Sequence, residues 1–151
     1  MNYIPLRVKT SYSLLTSLND IKKMILFCKE KGINTLCITD TNMYGVMEFY
    51  KECNNNGIKP VIGLELNINN DIVILYAIDY LGYQNLTRLI FIKQNEVLTK
   101  EILKKYNYNL ICVTNNYDEY CDVYSDIYYG YTDIKDKDYT KKCVYINNIL
   151  C

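Results

Sequence analysis

Apolar side chains along this chain fall into two alternating patterns, short runs of strand character and longer stretches with helical spacing. Ile4 to Val8 is the first short run, with Pro5 near its start, where a missing N–H is tolerated. Ile21, Met24, Ile25 and Cys28 then recur on one helical face, and Ser17-Leu18-Asn19-Asp20 ahead of them supplies capping side chains. Lys31-Gly32 closes that helix with a basic last turn and a residue suited to a left-handed cap. Leu36-Cys37-Ile38 is a wholly apolar strand that runs into the polar loop Thr39-Asp40-Thr41-Asn42. Val46, Phe49, Tyr50 and Cys53 line one face of a second helix, and Gly57 stops it.

From Val61 to Ile68 the alternation becomes strict. Ile62, Leu64, Leu66 and Ile68 share one side of a strand, so Glu65 projects from the other. Ile72 to Ile78 is an unbroken apolar run, as expected of a strand covered on both faces. Gln84–Lys93 and Thr99–Tyr106 read as helices and Leu110–Val113 as a strand, while tyrosines blur the patterns of Val123–Tyr129 and Cys143–Ile146. Seven strand candidates interleaved with helices predict one α/β domain over residues 1–151. The rhythm is that of a small parallel β/α barrel, abbreviated in its second half. A helix should follow the last strand of such a barrel, so the chain is expected to be truncated at its C-terminus.

Composition narrows the chemistry. Of the 151 residues 50% are apolar, and 17 basic side chains balance 17 acidic ones, which argues against bulk attraction to DNA or an anionic membrane. The chain has no histidine. Imidazole bases, His-dependent nucleophile pairs and His-containing metal sites are thereby excluded within these residues. The 7 cysteines form no Cys-x-x-Cys clamp and lie among aliphatic residues, the pattern of small buried hydrophobes in a reducing compartment. With no apolar run of about 18 residues and no leader-like start, a cytoplasmic protein without a membrane partner is expected. Tyr106, Tyr108, Tyr117, Tyr120, Tyr124, Tyr128, Tyr129 and Tyr131 resemble a base-stacking platform in number alone. No basic residue interleaves them between Asn107 and Thr132, so weak or no direct DNA binding is expected.

Four strings stand out: Leu6-Arg7-Val8-Lys9-Thr10-Ser11-Tyr12-Ser13-Leu14-Leu15, Thr39-Asp40-Thr41-Asn42-Met43-Tyr44-Gly45, Gly57-Ile58-Lys59-Pro60-Val61-Ile62-Gly63-Leu64-Glu65 and Gly82-Tyr83-Gln84-Asn85-Leu86. In this order and spacing they resemble the N-terminal PHP (polymerase and histidinol phosphatase) domain of the bacterial DNA polymerase III alpha subunit, from Leu6 to about Ile90. The resemblance implies a distorted, TIM-like, seven-stranded β/α barrel. In catalytic members zinc or manganese ions sit where the C-terminal ends of the strands meet, and there activate water for phosphoester cleavage.

Carried over position by position, the family's metal ligands are mostly gone. The first strand's His-x-His is Arg7 and Lys9 here, the aspartate after Ser-Leu-Leu is Thr16, and the histidine of Thr-Asp-His is Thr41. Val144–Leu150 aligns with the strand that carries Asp-x-His, now Asn148 and Leu150. Asp40 and Glu65 remain. Two carboxylates cannot hold a cluster of divalent ions, and a lysine ammonium close by repels such an ion by several kcal/mol. Arg7 and Lys9 are therefore expected to pair with Asp40 and Glu65, leaving a remnant site with no metal, no cofactor and no catalytic residue. On residue chemistry alone, Asp40 and Glu65 also fit loop capping and solvated strand ends.

The function expected is that of a non-catalytic scaffold, a pseudoenzyme module within a replicative polymerase. The parent protein would be a DNA-directed DNA polymerase, a nucleotidyltransferase that uses magnesium in a downstream palm domain. Its partners would be the remainder of that subunit and a proofreading exonuclease or other replisome proteins. Two alternatives stand beside this reading. One is a metal-dependent phosphoesterase or 3′–5′ exonuclease that recruits Asp40, Glu65 and Asp79 or Cys37, and the other is a stand-alone interaction module.

Overall fold

The computed structural model describes residues 4–13 and 17–146. Asp20 caps the first helix, α1 (Ile21–Glu30), by accepting from the Lys23 N–H, and buries Ile21, Ile25 and Cys28. A left-handed Gly32, φ +65°, turns the chain into β1 (Thr35–Ile38). Helix α2 (Val46–Asn55) follows and buries Val46, Phe49 and Cys53. Then come β2 (Lys59–Ile68), β3 (Asp71–Ala77), α3 (Tyr80–Asn95), α4 (Lys100–Lys105), β4 (Leu110–Thr114), α5 (Tyr117–Tyr120), β5 (Ile127–Tyr131) and β6 (Cys143–Tyr145), with a 3-10 turn at Ile134–Asp136.

The six strands form one sheet in sequence order, curled as a half-barrel. Pairing is parallel except on both sides of β3. That reversal departs from the all-parallel expectation and has a local cause. Asn69 and Asn70 both take positive φ, 51° and 70°, so a two-residue turn folds β3 straight back on β2. No crossover helix is needed there. Asparagine tolerates this backbone region far better than branched residues do.

Two further expectations shift. The strand read over Ile4–Val8 is reduced to a single bridge residue, Val8, because its neighbours' polar groups go elsewhere. The Leu6 carbonyl accepts from the Tyr76 hydroxyl and lies against Cys37 Sγ. The strand read over Val123–Tyr129 begins only at Ile127, since Val123 and Tyr124 turn into the core beside α5.

Alternation along the strands separates two faces. Leu64, Leu66, Ile68, Val73, Leu75, Leu110 and Cys112 join Leu86, Leu89 and Leu103 of α3 and α4 in the main core. Leu36 and Ile38 pack with α1 and α2. The opposite, concave face gathers Cys37, Ile74, Tyr76, Val113 and Ile146 with flanking side chains from every other strand. Cys28, Cys37, Cys53 and Cys112 are buried free thiols, and burial pushes each pKa up.

The Gly82-Tyr83-Gln84-Asn85-Leu86 string is a docking device. Asp79 caps α3 through the Gly82 N–H and accepts from Asn109, while Asn85 donates to the Tyr108 carbonyl. These bonds draw α3 so close to the β4 approach that a Cβ at Gly82 would lie 2.2 Å from the Asn109 carbonyl oxygen. Gly82→Ala is therefore expected to destabilise the protein by about 1–3 kcal/mol, although alanine is the better helix former. Conversely, the Tyr124 hydroxyl is buried with no hydrogen-bond partner among the described residues. Tyr124→Phe should leave stability unchanged or raise it by up to about 1 kcal/mol. Urea denaturation of both variants checks the two signs.

Candidate functional site at the ends of β1 and β2

β1 ends at Ile38 and the chain continues as Thr39-Asp40-Thr41. Its pairing with β2 extends one step further, the Glu65 N–H donating to the Asp40 carbonyl at 3.0 Å. Because the two strands are parallel, Asp40 and Glu65 arrive together at the C-terminal end of β1. The strand alternation that buries Leu64 and Leu66 in the main core turns Glu65 to the concave face, as its sequence position predicts. The N-terminal segment is stitched alongside. The Thr39 N–H donates to the Val8 carbonyl at 2.7 Å, and the Val8 N–H to Thr39 Oγ1 at 3.0 Å.

This stitching aims two cations at one carboxylate. Arg7 grips Glu65 with both arms of its guanidinium, Nε to Oε2 at 2.7 Å and Nη2 to Oε1 at 2.8 Å. Lys9 Nζ adds a contact to Oε2 at 3.0 Å and donates to the Thr39 carbonyl at 2.8 Å. The three side chains are 9–12% exposed. Burial acts to raise the Glu65 pKa, but the Arg7 hydrogen bonds and the charges of Lys9 and Arg7 outweigh it and hold it below the ordinary range. Lys9 moves the other way to a paired surface lysine. Its burial lowers the pKa and Glu65 restores only part. Arg7 is raised by its hydrogen bonds to Glu65.

Asp40 takes the loop-capping role that its residue chemistry also allowed. It is 2% exposed. Its carboxylate accepts from the Thr10 N–H at 2.7 Å, and from the Thr10 and Ser13 hydroxyls at 2.6 Å each. It thus organises the Thr10–Ser13 loop, leaving the direct ion pairs with Arg7 and Lys9 to Glu65. Thr10 and Ser13 are the site residues the sequence reading passed over. Their signal was small hydroxyl side chains within the first string, directly after Lys9.

Other polar groups fasten the same loop. The Tyr12 hydroxyl donates to Glu48 at 2.6 Å, Asn42 donates to the Tyr12 carbonyl at 2.8 Å, and the Tyr12 ring fills the space a Cβ at Gly45 would occupy. Residues 6–13 of the first string and the string Thr39–Gly45 are thus halves of one interlocked structure.

The remaining candidates do not converge on this point. Thr41 is exposed at the loop surface. Thr16, Asn148 and Leu150 lie outside the described residues. Cys37 is buried on the concave face as a protonated thiol, its pKa driven up by burial. Asp79 caps α3 and follows β3, whose antiparallel register (Glu65 opposite Ile74) carries it about five residues, or roughly 17 Å, away. Neither can join Glu65 around an ion.

A divalent metal does not fit these residues. The Glu65 oxygens face two cations, those of Asp40 accept from three donors, and among the described residues no three Asp, Glu or Cys side chains gather. The tyrosines of the C-terminal third do meet cations in space. Lys141 lies over Tyr117 and Tyr129, and Lys142 over Tyr128. Lys141 is itself tied to Asp118 and Asp138.

Residues 5–150 match the family model of the PHP domain. This chain belongs to the PHP domain family. Curated relatives include the DNA polymerase III subunit alpha of Chlamydia pneumoniae, 32% identical over 136 residues, which takes in 76% of this chain and 11% of that protein. That of Campylobacter jejuni is 34% identical over 126 residues, 71% of this chain and 10% of the relative. The PHP chain thus spans about a tenth of the length of these relatives. Among solved structures, a Bifidobacterium adolescentis protein assigned as a metal-dependent phosphoesterase aligns with a TM-score of 0.42 at 13% identity, over 68% of this chain and 42% of its own.

The ion-pair cluster makes two predictions for this PHP domain. Glu65→Gln leaves Arg7 and Lys9 buried against each other and should cost about 3–5 kcal/mol, whereas Lys9→Met keeps the Arg7–Glu65 fork and should cost roughly 1–2 kcal/mol. Urea denaturation at neutral pH measures the order. The pH dependence follows from the lowered Glu65 pKa. Its contribution is complete above the unfolded value of about 4.3 and is lost as pH falls through the lower folded value. Stability should therefore drop on acidification from about pH 5, and the drop should be shallower in Glu65→Gln.

Proposed function

We propose that this chain is a catalytically silent PHP module, one domain of a bacterial DNA polymerase III alpha subunit, with a structural and interaction role in DNA replication. The observation that carries the reading is the Arg7–Glu65–Lys9 cluster at the place where a PHP barrel collects its metal ligands. A guanidinium and an ammonium supply there the positive charge that metal ions would otherwise bring, so the carboxylate is neutralised without an ion. Arg7, Lys9, Thr16, Asp40, Thr41, Glu65, Asn148 and Leu150 are, in this reading, the successors of a metal site. The barrel closure expected of the family belongs to it too, with the Val8 bridge beside β1 in the seventh strand position.

As part of a polymerase subunit the module would work in the cytoplasm, against the remainder of its own polypeptide and alongside replisome proteins such as a proofreading exonuclease. Nucleotidyl transfer would lie with other parts of that polypeptide. Among the described residues no helix is long and apolar enough to cross a membrane.

The test is elemental analysis after incubation with zinc or manganese, with turnover assays on a generic phosphomonoester and on the 3′ end of single-stranded DNA. The expected result is no stoichiometric metal, and no turnover that differs between the unaltered protein and Glu65→Gln. Stoichiometric metal with turnover abolished by Glu65→Gln would establish a phosphoesterase with altered ligands instead.

A further inference from the structure

On the convex side of the sheet the helix layer has a gap. α2 follows β1 and α3 follows β3, but the Asn69-Asn70 turn joins β2 to β3 without a helix between them. The result is a groove of about 450 Å³, floored by Pro60, Ile62 and Ala77, with Met47 and Tyr50 on one wall and Tyr80 and Tyr83 on the other. Its rim is unusually apolar for a surface. Met47, Ile78 and Tyr80 are 57%, 60% and 72% exposed. Large apolar side chains clustered around one groove are a feature of docking surfaces.

We propose that this groove seats a helix from elsewhere in the same polypeptide, one that presents large aliphatic or aromatic side chains along a single face. Two observations select that occupant. The floor is a face of the sheet, where Pro60, Ile62 and Ala77 present side chains while strand backbone groups point sideways along the sheet, so an added strand would find nothing there to pair with. A helix satisfies its own backbone and needs only an apolar trough between two helical walls. The matched region is also only 10–11% of the polymerase subunits to which this chain is related, so ample further chain exists in such proteins to fill a gap in this layer. The inference rests on the reading that the module is part of such a subunit.

Thiol labelling of the full-length protein tests it. Met47→Cys, Ile78→Cys and Tyr80→Cys place a thiol on the rim, and Tyr139→Cys, 83% exposed at its native position, is the control away from the groove. All four native side chains are largely solvent-facing, and a thermal melt verifies that each variant is folded. Rim thiols should react with a maleimide at least about tenfold more slowly than the control, independently of protein concentration. Equal rates would overturn the proposal. So would protection that grows with concentration alongside a doubling of mass, because the occupant would then be a second copy. Metal-dependent turnover sensitive to Glu65→Gln would sink the silent-site reading without altering the labelling ratio, whereas equal labelling in a silent polymerase subunit would sink the groove alone.

Discussion

A carboxylate on the concave face of the sheet, gripped by a guanidinium fork and an ammonium, fixes the geometry of the N-terminal third of this protein. Glu65 sits where β1 and β2 end their parallel run, and its partners come from a segment with one bridge residue and no regular strand of its own. Backbone groups of Leu6, Val8 and Thr10 tie residues 4–10 to the sheet at single points. The side-chain charges and the Thr39 carbonyl add the contacts that a regular strand ladder would otherwise supply. Such a cluster is poor at adding net stability, because desolvating three ions offsets most of their attraction, but losing the shared carboxylate strands two buried cations. It therefore specifies one arrangement of the segment more than it strengthens the fold.

Asp40 complements this mainly through hydrogen bonds. Among the described residues its three donors are one backbone N–H and two hydroxyls, and the Lys9 ammonium acts on it through space without a direct contact. Two acidic residues that arrive side by side thus do separate jobs. Glu65 fastens the segment before the Thr10–Ser13 loop, and Asp40 shapes the loop itself. Where a metal site would ask both to face a common point, here they face different partners.

Much of this was legible in the sequence. Strict alternation around Glu65 placed it opposite Leu64 and Leu66, and the basic residues at 7 and 9 announced its partners. Asp20 and Gly32 marked the ends of α1 as expected. Among the described residues Asp40 makes no direct ion pair with the cations and acts on Lys9 only through its charge, because Thr10 and Ser13 fold back over it, which linear sequence does not show. Isolated strand propensity misled at Ile4–Val8, where the Leu6 carbonyl is claimed by Tyr76 and Cys37 from across the concave face. The reversal of β3 was readable in principle. Asn69-Asn70 between two apolar runs is hairpin chemistry, but the βαβ rhythm on either side overshadowed it.

That two-residue turn bears on how the molecule assembles. The parallel pairings elsewhere in the sheet join strands separated by a crossover, and each must overcome the entropy of closing a longer loop before any contact rewards it. The β2–β3 pair closes over two residues and aligns six cross-strand positions, so it is the cheapest long pairing for the unfolded chain to find. Glu65 lies inside that ribbon. The anchor for the N-terminal segment is thus set in the part of the sheet that can order first, before its basic partners need to arrive.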